Sequence, residues 1–248
     1  MVSGQQPDDP WSEFAGGSPV SPDAERVSVY LEVGARRTFS GAIDWPGWCR
    51  SGKDEQAALA ALFAYGPRYQ RALRGARVEF HVPSKASALR VVERLPGDAT
   101  TDYGAPGAHP AADAAPVDPA ELRRMLAIVK AAWRAFDAAV ETAQGKELRK
   151  GPRGGGRDLT AILRHMVDAD GGYLGRIGVR LDAPAGLDPV EGLRRARAAI
   201  LAALPATAAG TTPSTGPRGG VRWGVRTFVR RLTWHILDHA WEIEDRLV

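Results

Sequence analysis

Alternation of apolar and polar residues defines the first structured part of the chain. Val27–Val33 alternates as a β-strand does, and residues 37–43 alternate again after a turn at Gly34. We therefore predict that these two segments pair as a hairpin. Asp54 precedes an alanine- and leucine-rich stretch, so it predicts an N-cap followed by a helix from residue 55 to about residue 74.

Two more strands are predicted after this helix, at residues 77–82 and 89–95. Residues 44–52 are rich in turn-forming residues and are expected to form a connection. Residues 1–24 are rich in Pro, Gly, Ser and Asp without apolar periodicity, which predicts a disordered tail. Residues 25–96 are therefore predicted to form a small α+β domain with the element order ββαββ.

Helical periodicity begins after a glycine- and proline-rich linker, residues 97–117. Four stretches with apolar residues at helical spacing follow, and an aspartate precedes three of them as an N-cap. The predicted helices are 119–143 after Asp118, 159–177 after Asp158, 189–204 after Asp188, and 221–246. Residues 118–248 thus favour a four-helix bundle, in which ligand sites are built from side chains on facing helices. The predicted fold class is α+β.

Length and composition narrow the class of protein. A chain of 248 residues can form one large domain or two small ones, and we favour two. The net charge of +4 comes from interleaved basic and acidic residues, which is a poor argument for nucleic-acid binding. The single cysteine, Cys49, excludes an internal disulfide; it is interpreted as a packed or exposed thiol, with catalytic nucleophile as the minor alternative. No membrane-length apolar run and no secretory signal are present, so we expect a cytoplasmic protein without membrane association.

The last predicted helix carries two of the five histidines in the chain. His235 and His239 are four residues apart, so both imidazoles lie on one helical face. Glu242 and Arg246 continue this stripe beside a stripe of apolar residues. A third histidine, His165, lies at the rim of the apolar stripe of the second predicted bundle helix.

Three histidines from two bundle helices can hold a divalent metal ion and leave positions for water or substrate. The alternative is that His165, His235 and His239 are ordinary histidines hydrogen-bonded to their neighbours. Ligand type alone does not separate zinc, nickel and iron, because sites of three histidines suit several metals. Glu242 is a candidate fourth ligand, catalytic base or orienter of an imidazole, and an ion pair with Arg246 is its alternative role.

Residues 118–248 resemble the DinB-like (YfiT-like) superfamily of metal-binding four-helix bundles. His165 in Ile-Leu-Arg-His-Met-Val-Asp matches the histidine of the second helix, and His235 and His239 in Trp-His-Ile-Leu-Asp-His-Ala-Trp match the pair of the fourth. The resemblance implies that these residues bind a divalent metal, usually zinc or nickel. It further implies a transferase or hydrolase in which the metal lowers the pKa of a bound low-molecular-weight thiol or water. The Ala-, Arg- and Gly-rich composition suits a high-GC bacterium, in which mycothiol is the expected thiol.

Two basic clusters are candidates for binding an anionic group. Arg153 and Arg157 lie in a glycine-rich segment before a helix, where backbone amides and the helix N-terminus can receive an anionic cofactor. The second cluster belongs to the fourth helix and the loop before it, and consists of Arg218, Arg222, Arg226, Arg230 and Arg231. A solvated basic surface is the alternative for both clusters. Trp234 and Trp241 either line a pocket or pack in the core.

Residues 27–82 resemble the HicB-like small α+β fold, in which two strands, a Pro-Gly turn and an alanine- and leucine-rich helix follow in this order. Domains of that family act as antitoxins or regulatory modules, so the resemblance implies partner binding. No helix-turn-helix or ribbon-type DNA-reading segment is evident, and nucleic acid is therefore not the expected partner. A non-catalytic regulatory or partner-binding protein is the alternative to a metal-dependent enzyme acting on a small-molecule substrate. A homodimer stays open.

Overall fold

The computed structural model describes residues 26–150, 156–184, 186–211, 213–217 and 219–247. The strands are β1 (Val27–Val33), β2 (Thr38–Ala42), β3 (Cys49–Gly52) and β4 (Leu89–Pro96). The helices are α1 (Glu55–Ala64), α2 (Gly66–Ala72), α3 (Ala99–Tyr103), α4 (Pro119–Ala143), α5 (Leu159–Arg176), α6 (Pro189–Ala208) and α7 (Val225–Arg246). The predicted class, a small α+β sheet unit followed by a helical bundle, is confirmed. The predicted tail, residues 1–24, lies outside the described residues.

The four strands form one mixed sheet in the order β3-β2-β1-β4. β1 and β2 pair antiparallel, with Val29 opposite Ala42, so the predicted hairpin is confirmed. β3 pairs antiparallel with the other side of β2, and β4 returns parallel to β1 after α1 and α2. Every residue of β2 is buried, which means that both faces of the sheet are covered at this strand.

Two strand predictions for this unit are wrong. The segment 44–52 is more than a connection, because its last four residues form β3 against β2. Residues 77–82 form no strand, since Arg77 has a left-handed backbone with φ of 53° and the segment joins no ladder. The ring of Phe80 in this segment is buried against Trp48 and Tyr69 instead. The element order is therefore βββααβ.

The helix predicted from residue 55 to about residue 74 is divided in two. Its start is as predicted, because the side chain of Asp54 accepts a hydrogen bond from the backbone amide of Ala57. α1 ends at Ala64, and α2 begins at Gly66 with Pro67 in its first turn. Proline has no amide hydrogen to donate and disfavours helical backbone at the residue before it, which favours a break at this position.

The three long helices with predicted aspartate caps begin where expected. Asp118, Asp158 and Asp188 each accept hydrogen bonds from backbone amides of the first helical turn. α6 runs four residues beyond its predicted end, to Ala208, and α7 begins at Val225 rather than at residue 221. Of the 22 residues of α7, 15 are buried, so this helix is covered on nearly all sides.

The sheet unit covers part of α7 that the bundle leaves open. The ring of Phe39 stands edge-on to Trp234 at a centroid distance of 6.0 Å, and Arg50 donates a hydrogen bond of 2.7 Å to Asp238. A Cβ atom on Gly47 would lie 2.6 Å from the side chain of Thr233, so the turn before β3 fits closely against the helix. One hydrophobic core extends from the sheet into the bundle.

The segment 97–117, predicted as a linker, packs against both units. Glu32 of β1 is fully buried and accepts hydrogen bonds from the backbone amides of Gly107 and Ala108. Asp113 is buried as well and forms an ion pair of 2.7 Å with Arg230 of α7. The segment thus connects the sheet with α7, and the division into two domains stays a prediction. Among the described residues, no helix has the length and apolar character needed to span a membrane.

Candidate metal centre

Three histidine side chains from two helices converge at one point. His165 comes from α5, while His235 and His239 lie about one turn apart on α7. The Nε2 atom of His235 lies 3.1 Å from the Nε2 atom of His165 and 3.1 Å from that of His239. The candidate ligand atoms of the three residues all lie within 4.8 Å of one another. The three histidines that the sequence singled out are therefore neighbours in space.

The spacing of these nitrogens fits a shared metal ion. Two nitrogens bound at about 2.1 Å to one ion lie about 3.0 to 3.4 Å apart in octahedral or tetrahedral coordination. Hydrogen bonding alone satisfies the cluster less well, because a neutral ring nitrogen carries either one hydrogen or one lone pair. The Nε2 atom of His235 therefore cannot form two full hydrogen bonds with its two neighbours. A cation between three lone pairs would satisfy all three Nε2 atoms.

Burial favours the neutral, metal-binding form of the imidazoles of His165 and His235. Only 5% of His235 and 7% of His239 is exposed, while His165 is half-buried. Desolvation, and then the neighbouring His239, lower the pKa of His235 well below its usual value and also lower the pKa of His165. The positive charge of Arg157 lowers the pKa of both further. Metal ions bind the neutral imidazole, so these shifts favour binding at neutral pH.

Glu242 fixes the orientation of one imidazole. Its Oε2 atom lies 2.7 Å from Nδ1 of His239, and its Oε1 atom accepts a hydrogen bond of 2.6 Å from Arg246. The hydrogen bond to His239 is the main cause that lowers the pKa of the Glu242 carboxyl. The orienting contact and the ion pair, which the sequence left as alternatives, occur together in one carboxylate. Nδ1 of His235 is buried and has no such partner.

The glycine-rich basic segment is only partly described. Arg153 lies outside the described residues. Arg157 has an exposed side chain, and its backbone carbonyl accepts a hydrogen bond of 2.8 Å from Arg246. Because Arg246 also contacts Glu242, this backbone is connected to the carboxylate that orients His239. The anion-binding role of Arg153 and Arg157 stays a prediction.

Arg218 of the second basic cluster lies outside the described residues. The other four arginines do not form one solvated surface, which corrects the alternative considered for this cluster. Arg230 is buried, pairs with Asp113 and donates hydrogen bonds to backbone carbonyls of β2 and the following turn. Arg226 forms an ion pair with Glu121 of α4. Arg226 and Arg230 thus connect α7 with α4, the segment 97–117 and β2. The sequence did not predict this role, because the arginines alternate with apolar residues at helical spacing and resemble the polar face of a helix.

A cavity of about 510 Å³ lies beside the histidines. Tyr173 and Trp234 line it and also contact His235, at ring-centroid distances of 5.7 Å and 6.0 Å. Trp234 therefore lines a pocket and packs against the sheet, so both of its considered roles apply. Trp241 packs edge-on against Tyr65 at 5.0 Å. The histidines themselves lie behind the cavity wall.

Two further groups clarify what the sequence could not assign. Cys49 is buried, and burial raises the pKa of its thiol to about 12, which leaves it a packed thiol rather than a reactive nucleophile.

Asp170, which sequence reasoning did not single out, lies fully inside the bundle on α5. Its signal was an acid at a position where the helical period calls for an apolar residue, one turn after Met166.

No protein-family model, curated protein or solved structure matches this chain. The DinB-like and HicB-like resemblances are accordingly still predictions. The chemistry of the site is inferred from its own residues.

Proposed function

We propose that this protein binds a divalent metal ion through His165, His235 and His239 and uses it on a small molecule. The reaction class is activation of a low-molecular-weight thiol, of the mycothiol type, or of water, for group transfer or hydrolysis. The observation that carries the proposal is the approach of three Nε2 atoms, with two contacts of 3.1 Å in a largely buried cluster. Zinc, nickel and iron all suit this ligand set.

The residues around the histidines have separate tasks in this proposal. Glu242 accepts the Nδ1 hydrogen of His239, which fixes the tautomer and leaves Nε2 free to bind. Arg157 brings positive charge near the site and would attract an anionic thiolate or substrate. His165 is only half-buried, which leaves a side from which ligands can enter. A bound divalent ion would supply the lower pKa of a coordinated thiol or water.

Metal analysis of protein purified without an affinity tag tests the proposal. We expect about one equivalent of divalent metal per chain in the unmodified protein. The double variant His235→Ala/His239→Ala is expected to lose it. His81→Ala is the matched control, because His81 is exposed and lies outside the cluster. Equal metal content in the double variant and the control would refute the proposal and leave a non-catalytic, partner-binding role as the remaining candidate.

Activity is tested separately from metal content. The metal-loaded protein is assayed for thiol consumption and for ester and amide hydrolysis, each compared with the double variant. Metal-dependent turnover is the expected result. Stoichiometric metal without any turnover in this panel would contradict the catalytic part of the proposal while leaving the metal site intact.

A further inference from the structure

We propose that the cavity beside the histidines binds a small planar carboxylate, with an aromatic or conjugated body. The volume of about 510 Å³ falls in the range of pockets for small-molecule ligands. Its walls come from the sheet, from the segment 97–117, and from α5 and α7. The cavity therefore exists only when the sheet unit and the bundle pack together.

The charges around the cavity favour an anion. Arg176 and Arg231 line it, and neither has a carboxylate within ion-pair distance among the described residues. The two acids that line the cavity are already engaged. Asp113 pairs with Arg230, and Asp98 accepts hydrogen bonds from the amides of its own helix, which are the main cause that lowers its pKa. Asp98 keeps its negative charge, but three arginines (Arg176, Arg230 and Arg231) and two aspartates line the cavity, so the lining carries one net positive charge.

Aromatic rings hold the two guanidinium groups in place. Arg176 lies 5.5 Å from the ring centroid of Trp223, and Arg231 lies 4.6 Å from that of Trp234. Tyr173 lies between the two pairs, at 5.9 Å from Trp223 and 5.8 Å from Arg231. Each guanidinium group thus lies beside an aromatic ring, and Arg231 also donates a hydrogen bond to the backbone carbonyl of Pro106. Guanidinium groups bind carboxylates through paired hydrogen bonds, and the ring faces favour a flat ligand body.

The position of the cavity suggests what its ligand would be for. Tyr173 and Trp234 separate it from His235, so a ligand held by the arginines would lie within one side chain of the candidate metal centre. The idea that the carboxylate is the substrate rests on the metal-centred function proposed above. The idea that the carboxylate binds in the cavity is independent of that function, because none of the three histidines contacts the cavity.

Titration with benzoate and 2-naphthoate tests the inference on the full-length protein, with and without zinc. Calorimetry gives the affinity. Changes in the NMR signals of the indole N–H groups of Trp223 and Trp234 show whether the ligand lies beside these two rings. Arg176→Gln is expected to weaken binding roughly tenfold or more, as is Arg231→Gln, because each removes a charged hydrogen-bond donor. Arg90→Gln, at an exposed position on β4 outside the cavity, should leave affinity unchanged. Benzamide should bind at least tenfold more weakly than benzoate.

Several results would overturn the inference. They are equal binding of benzamide and benzoate, tighter binding of inorganic phosphate than of either carboxylate, or unchanged affinity in Arg176→Gln. Arg176 has an exposed side chain beside Trp223, so its variant tests the idea even where Arg231→Gln disturbs folding. Benzoate binding that persists in the His235→Ala/His239→Ala variant supports the cavity site independently. Absence of bound metal from the unmodified protein, together with retained benzoate binding, would count against the metal proposal alone.

Discussion

Replacing Asp170 with asparagine is expected to stabilise the protein at neutral and higher pH. Asp170 is 1% exposed within the bundle, and its Oδ1 atom has no hydrogen-bond partner. Burial raises the pKa of its carboxyl from 3.8 to about 7, and the charge of Arg197 offsets only part of this rise. Asparagine has nearly the same shape and no charge, so the substitution removes the penalty of burying a carboxylate.

The direction of the pH dependence follows from proton binding. Between pH 3.8 and about 7 the folded protein keeps a proton on Asp170 that the unfolded chain releases. The contribution of Asp170 to stability therefore falls as the pH rises through this window. A change of one in the pKa corresponds to about 1.4 kcal/mol, so raising the pKa of Asp170 from 3.8 to about 7 costs about 4 kcal/mol of folding free energy at high pH. The stability gained by Asp170→Asn should be small near pH 4, grow up to about pH 7, and then level off.

Urea unfolding of the metal-free protein and its variant across this pH range measures the effect. The lowered pKa values of His165 and His235 act equally in both proteins, so they cancel in the difference. Asp168→Asn is the control, because Asp168 is exposed on the same helix. Parallel stability profiles for the Asp170→Asn variant and the parent protein would refute the reasoning. They would mean that the buried carboxyl ionises as readily in the folded protein as in the unfolded chain.

Two further predictions concern the hydrogen bonds around α7. Glu242→Gln removes the negative charge that orients His239, and we expect metal affinity to fall roughly tenfold to a hundredfold by competition with a chelator. Arg230→Met leaves Asp113 buried without its ion-pair partner, and we expect a loss of about 3 to 5 kcal/mol in urea unfolding.

Each of these two predictions has a matched control. Glu244→Gln changes an acid on the same helix that pairs with Arg68 and has no contact with His239, so metal affinity should be unchanged. Equal effects of Glu244→Gln and Glu242→Gln would contradict the orienting role. Adding Asp113→Asn to Arg230→Met should recover part of the lost stability, because no unpaired charge remains. Without such recovery, the loss would have to come from packing of the arginine side chain.

The sequence by itself determined the parts of the fold that depend on near neighbours. An N-cap aspartate reaches backbone amides two or three residues ahead, so Asp54, Asp118, Asp158 and Asp188 located four helix starts correctly. The β1–β2 hairpin was also predictable, because its strands are close in sequence and alternate clearly. Pro67 carried a local signal for the helix break, which the periodicity of the surrounding apolar residues concealed.

Strands with distant partners could not be assigned in this way. Residues 49–52 have little strand character of their own, and they form β3 because the edge of β2 offers a ladder. Residues 77–82 have more apolar alternation but join no strand, and the ring of Phe80 packs against Trp48 and Tyr69 instead. A strand is stable only when its backbone groups find partners, and those partners are set by the whole sheet.

The candidate site likewise has features that the sequence predicts and features that only the tertiary structure shows. The spacing of His235 and His239 follows from the helical repeat, so the sequence alone determined that they share a face of α7. Only the tertiary structure decided that His165 meets them at 3.1 Å and that Arg230 is buried with Asp113. It also decided that the sheet and the bundle enclose a cavity beside them. The reason is that distances across helices, and the burial that shifts a pKa, arise from packing between segments that are distant in the chain.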